Sequence, residues 1–191
     1  MGNNKSKSVQ IKKQREKALA EDRRNILGLP PERALKAIAE HPYPVTLVQS
    51  MAEEDLYLLV HTIGPDDAHP VLALASNEQW DYLLDMESWD RDRTDPHALT
   101  VWIQRLLKAD PDRLTHQIAS DKRAAFAYYL FQNIQIHVRE DEQDPAEIGD
   151  DFFSEDQTHY IRLRPYPEDQ KPKQKERDRL VNDLLKRLSV Y

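Results

Sequence analysis

Apolar side chains in this chain recur on the helical template i, i+3, i+4, i+7, and every run is short. Leu56, Leu59, Val60 and Ile63 form one set; Ala68, Val71, Leu72 and Ala75 a second; Trp80, Leu83 and Leu84 a third; Leu99, Trp102, Ile103, Leu106 and Leu107 a fourth. This spacing places each set on one face of an α-helix. So short a helix is marginal alone in water, so its stripe has to be covered by neighbours.

The residues between the runs supply starts and stops. Ser50 followed by Glu53, and Ser76 by Gln79, read as capping boxes. Asp95-Pro96 and Asp110-Pro111 place an N-cap before a first-turn proline, and Pro31 and Pro65 suit the same position. Gly64 follows Ile63 and suits a left-handed C-terminal cap. Helices are expected to start near 31, 44, 51, 65, 77, 96, 111 and 121. The predicted fold is mainly α: an array of short antiparallel helices, either helical-repeat-like or an irregular bundle. No residue-for-residue identity links the runs, so the repeat is one of pattern.

Two segments stand apart. Ala124 to Phe131 is apolar nearly all round and predicts the most buried helix. Ile134, Ile136 and Val138 then alternate with polar residues, as do Ile161 and Leu163, which predicts a minor two-stranded β element. Val181, Leu184, Leu185 and Leu188 return to helical period near the C-terminus and read as a stripe awaiting a partner.

Composition removes several classes of chemistry. The 191 residues hold four glycines, Gly2, Gly28, Gly64 and Gly149, and none lies within 20 positions of another. Average usage would give roughly 13. Phosphate-cradling loops need closely spaced glycines, so the dinucleotide fingerprint and the P-loop are absent. The lack of cysteine removes disulfides, thiol nucleophiles and thiolate metal sites. No apolar run approaches the ~18–20 residues of a membrane span, and no secretory leader is recognisable. The expected setting is cytoplasmic, with no cofactor.

The net charge of −7 is distributed in blocks: +5 over 1–26, −7 over 27–139, −9 over 140–160 and +4 over 161–191. The expected organisation follows these blocks: a basic tail or exposed helix (1–26), a helical domain (27–139), an acidic loop with a short strand (140–168) and a C-terminal amphipathic helix (169–191). Like charge at the density of 140–160 favours a solvated loop.

Candidate chemistry is sparse. Seven histidines include no pair at helical-clamp spacing and no HExxH, so they read as solvent-facing or locally bonded. Asp81 and Asp85 lie one helical turn apart with Asp90 beyond, a carboxylate set that could take a divalent ion; Arg91 and Arg93 favour plain ion pairing instead. The acidic loop does not fit a calcium-loop spacing. Within it, Phe152 and Phe153 read either as aromatics folded back on the domain or as a docking motif. Trp80 and Trp102 fall on apolar stripes, whereas Trp89 lies off them and is the best candidate for an exposed anchor, flanked by Asp90 and Arg91. Met1-Gly2-Asn3-Asn4-Lys5-Ser6 matches the N-myristoylation pattern, with a lysine-rich segment behind it; only acylation of Gly2 would imply a membrane partner. The basic residues are not interleaved with aromatics and the chain is acidic overall, so nucleic acid is not an expected partner.

Glu78-Gln79-Trp80, Leu83-Leu84-Asp85 and Trp89-Asp90-Arg91-Asp92 resemble an uncharacterised bacterial domain-of-unknown-function family whose N-terminal part consists of short helices. The likeness runs from about Leu29 to the Tyr160-Ile161 region. It implies a helical fold and brings no activity or site residue. In pattern alone, the row of capped helices is similar to the N-terminal domain of MgtE-type magnesium transporters. The expected function is a non-enzymatic protein-interaction or scaffold module that uses Trp89, Asp90, Arg91, Phe152 and Phe153. The alternatives are a divalent-metal enzyme or sensor on Asp81, Asp85 and Asp90, and a membrane adaptor acylated at Gly2.

Overall fold

The computed structural model describes residues 3–90, 93–120, 124–154, 156–165 and 171–189. Among these, ten helices and four short strands follow one another: α1 (Asn3–Leu27), α2 (Pro31–Ala39), α3 (Pro44–Gln49), α4 (Glu53–Ile63), α5 (His69–Leu74), α6 (Asn77–Glu87), β1 (Trp89–Asp90), β2 (Arg93–Thr94), α7 (Pro96–Ala109), α8 (Pro111–Ala119), α9 (Ala124–Asn133), β3 (Ile134–Val138), β4 (His159–Leu163) and α10 (Lys171–Leu188). The fold is mainly α with a minor antiparallel β element, as the periodicity predicts. None of the described helices is long and apolar enough to cross a membrane.

The chain divides into two compact units: Met1–Arg93 with Arg105–Asp110, and Thr94–Gln104 with Pro111–Tyr191. In the first, α1 packs on α3 and α3 on α5, while α2 packs on α4 and α4 on α6. The predicted stripes form its core: Leu56, Leu59, Val60, Val71, Leu72, Trp80 and Leu83 are all buried. In the second, Trp102, Ile103, Leu114, Phe126, Tyr129, Val181 and Leu184 are buried, and α10 packs on α8. Val181 and Leu184 of the C-terminal stripe are thus buried within this chain, whereas Leu185 and Leu188 are half-buried.

Most starts match the capping residues. At α6, Ser76 Oγ accepts from Gln79 N while Gln79 Oε1 accepts from Ser76 N, a complete capping box. Asp95 Oδ1 accepts from the backbone N–H groups of His97 and Ala98 at the head of α7. Pro31, Pro44, Pro96 and Pro111 each open a helix.

Three expectations need correction. Ser50 does not cap α4; it closes α3, its Oγ donating to Leu47 O, and α4 starts after Ala52 without a side-chain cap. Pro65 sits in a turn, and α5 begins only at His69, with Pro70 in its first turn. The apolar helix α9 is not the most buried one. Phe126 and Tyr129 face inward with Asn133, one stripe at i, i+3, i+7, whereas Tyr128 is 45% and Phe131 66% exposed. An all-apolar composition leaves the facing stripe undefined, and among the described residues only the Phe126–Tyr129–Asn133 face is buried.

Candidate interaction surface

β3 and β4 pair antiparallel with Ile136 opposite Ile161, Gln135 opposite Arg162 and His137 opposite Tyr160. Their alternation of branched apolar and polar residues suits a sheet with two different faces. Arg139 N donates to Thr158 O and Arg164 N to Asn133 O, extending the ladder at both ends. On the far side of β4, Phe153 and Ile161 exchange two backbone hydrogen bonds of 2.9 and 2.8 Å. The acidic segment is thus drawn back as a third, one-residue edge.

Directly opposed residues share a face and successive residues alternate. Phe153 therefore lies on the Ile136–Ile161 face, and Phe152 on the other. There Phe152 meets His137 edge-on at 6.3 Å, and the Arg162 guanidinium stands 4.7 Å above its ring. Arg162 is itself held by Gln135 Oε1 and by Asp151. Phe152 is half-buried, whereas Phe153 is 41% exposed.

The turn joining Phe153 to β4 is fixed by side chains. Ser154 Oγ accepts from Gln157 N, and Asp156 Oδ1 accepts from the N–H groups of Thr158 and His159. His159 Nδ1 lies 2.6 Å from Asp156 Oδ2. These bonds, the His159 side chain first and then the two backbone N–H groups, hold the Asp156 carboxyl far below the usual carboxylate range. Gln157 takes a φ of +60° to close the turn. Between this turn and the end of α10 lies an open groove of about 600 Å³, lined by Phe153, Ile161, His159, Leu185, Lys186 and Leu188. Its lining is mostly apolar, with Asp156, His159, Asn182 and Lys186 among its polar members.

The other sequence-derived candidates lie in the first unit. Trp89 is 55% exposed on β1, just after α6, while Trp80 and Trp102 are core. Asp81 and Asp85 are exposed on α6. The Asp90 side chain, Arg91 and Gly2 lie outside the described residues. Among the described residues no three His, Asp or Glu side chains converge as a metal cage would require. Four histidines have local partners: His41 with Asp22, His61 with Glu87, His137 with Gln143 and His159 with Asp156.

Sequence reasoning did not single out Ile136 and Val138, which are 55% and 56% exposed on β3. Their alternation was visible; which face lacked cover was not.

The model of a family of unknown function, DUF6178, matches residues 11–190. The chain belongs to the DUF6178 family. The match extends beyond the region over which the sequence resemblance was expected, so both compact units fall within DUF6178. No curated protein and no solved structure matches the chain. The pattern likeness to MgtE-type transporters gains no support.

Proposed function

We propose that this DUF6178 chain is a non-catalytic, cytoplasmic protein-interaction module whose partner docks in the groove beside Phe153. The carrying observation is that a backbone bridge holds Phe153 beside Ile161 with 41% of its surface open. An aromatic fixed by its backbone loses little freedom on binding, the usual property of an interface anchor. The segment 140–160 carries nine acidic residues and no Lys or Arg, which favours a partner with basic residues around an apolar one. Trp89 serves as a second contact point. In the first unit, the packing of α1 on α3, α3 on α5, α2 on α4 and α4 on α6 supports a helical-repeat-like arrangement.

The test is affinity capture from the native host, quantified by mass spectrometry, with wild-type, Phe153→Asp and Trp89→Ala proteins. At least one captured protein should fall by about tenfold or more with Phe153→Asp, the scale of a hot-spot loss. An unchanged set of captured proteins with both variants overturns the proposal.

A further inference from the structure

The opposite edge of the same small sheet, on the strand farther from the Phe153 bridge, carries a second surface. Because Ile161 directs its N–H and C=O to Phe153, Tyr160 and Arg162 direct theirs to His137 and Gln135. The backbone groups of Ile134, Ile136 and Val138 consequently point away from β4. Both ends of this edge are closed by side chains: Arg164 Nε donates to Ile134 O at 2.8 Å, and Glu140 N reaches Gln143 Oε1 at 3.4 Å. Between these closures, the N–H and C=O groups of Ile136 and Val138 have no partner among the described residues. Their side chains are 55% and 56% exposed.

Native edge strands are usually blunted by charge, proline or a bulge. The strand Ile134–Val138 contains no Asp, Glu, Lys, Arg or proline. We infer that β3 pairs antiparallel with β3 of a second copy of this chain, about a two-fold axis at His137. In that register Ile136 opposes the partner's Val138, and Val138 the partner's Ile136. The four open backbone positions then form four hydrogen bonds, and the two Ile and two Val side chains cluster on one face. The same register sets Glu140 opposite the partner's Ile134, whose carbonyl is held by Arg164. Acid therefore meets base at both ends, which argues for a second copy rather than an arbitrary strand. The free stretch is as long as self-pairing needs and no longer.

The patch is small against the ~1,200–2,000 Å² of stable complexes, so the dimer is weak and concentration-dependent. Sedimentation equilibrium of the full chain from about 5 to about 500 µM should show the mass rising from 22.4 kDa toward twice that value. Val138→Pro removes an outward N–H and leaves the β3–β4 ladder intact, so it should stay monomeric throughout with an unchanged circular dichroism spectrum. Should that variant fail to fold, Ile136→Lys, which puts a charge into the apolar cluster, decides instead. Phe153→Asp should dimerise as the wild type does. A wild-type chain that stays monomeric at the highest concentration overturns the second copy and leaves the edge to a foreign strand. Dimerisation unchanged by Ile136→Lys or by folded Val138→Pro, or abolished by Phe153→Asp, overturns it equally.

Discussion

Arg177 is 1% exposed and is the basic residue that falls on the α10 stripe, with Leu180, Val181 and Leu184 at i+3, i+4 and i+7. Its guanidinium reaches the Asn133 side chain at 3.2 Å and Arg164 O at 2.9 Å, and Nε lies 2.7 Å from Asp178. One side chain thus ties together the end of α9, the exit of β4 and α10. Arg177→Met should lower the unfolding free energy by about 2–4 kcal/mol in urea titration, because buried acceptors lose their donors. Gln79 is the counterpart in the first unit. Its role in the α6 capping box was legible from the Ser76 spacing. Its Nε2 also donates to Val48 O and Met51 O, both at 2.9 Å, which close the end of α3 some thirty residues earlier. No local pattern encodes that reach. Gln79→Ala should cost about 2–4 kcal/mol by the same measurement, well beyond the ~1 kcal/mol of an ordinary cap. Asp156 gives a pH prediction. Its pKa is depressed in the fold, so its stabilisation of the turn is complete above the unfolded value of about 3.9 and is lost only as pH falls to the lower native value. Its carboxyl carbon shift should stay constant from neutral pH down to about pH 3, where an ordinary aspartate is mostly protonated.

At the scale of elements, the stripes carried most of the information. Leu56, Leu59, Val60 and Ile63 are buried as the period requires, and the alternation at Ile134, Ile136 and Val138 and at Ile161 and Leu163 marks the two strands that pair. Errors arose where one residue serves either of two neighbouring elements. Ser50 lies between two short helices and closes the earlier one rather than opening the later. Pro65 and Pro70 both suit a first turn. Gly64 precedes Pro65 and takes a φ of +101°, which turns the chain before a helix can resume. Gly64→Ala should cost about 1–3 kcal/mol in thermal or urea unfolding. An added Cβ would meet only Asp67 at 3.8 Å, so backbone strain rather than crowding sets the penalty. The candidate site was half legible: Phe152 and Phe153 stood out as aromatics amid acids, but their opposite fates depend on the bridge to Ile161.

For the whole molecule, the two units together account for all the predicted stripes, and charge remains the property no single element shows. With a sequence pI near 5.5, solubility should pass through a minimum close to that pH, measurable by precipitation across a buffer series. The bridge at Phe153 has a consequence for chain length as well. It divides the span between β3 and β4 into two closures of different character. The stretch from Glu140 to Asp150 is a wide, mostly exposed arc, and the entropy of closing such an arc grows only slowly with length, so added residues there are cheaply absorbed. The stretch from Ser154 to Thr158 is a bonded turn of fixed size. One residue inserted there would carry Phe153 past Ile161 by a step and turn its ring to the opposite face. The loop can vary in length on one side of Phe153 and not on the other.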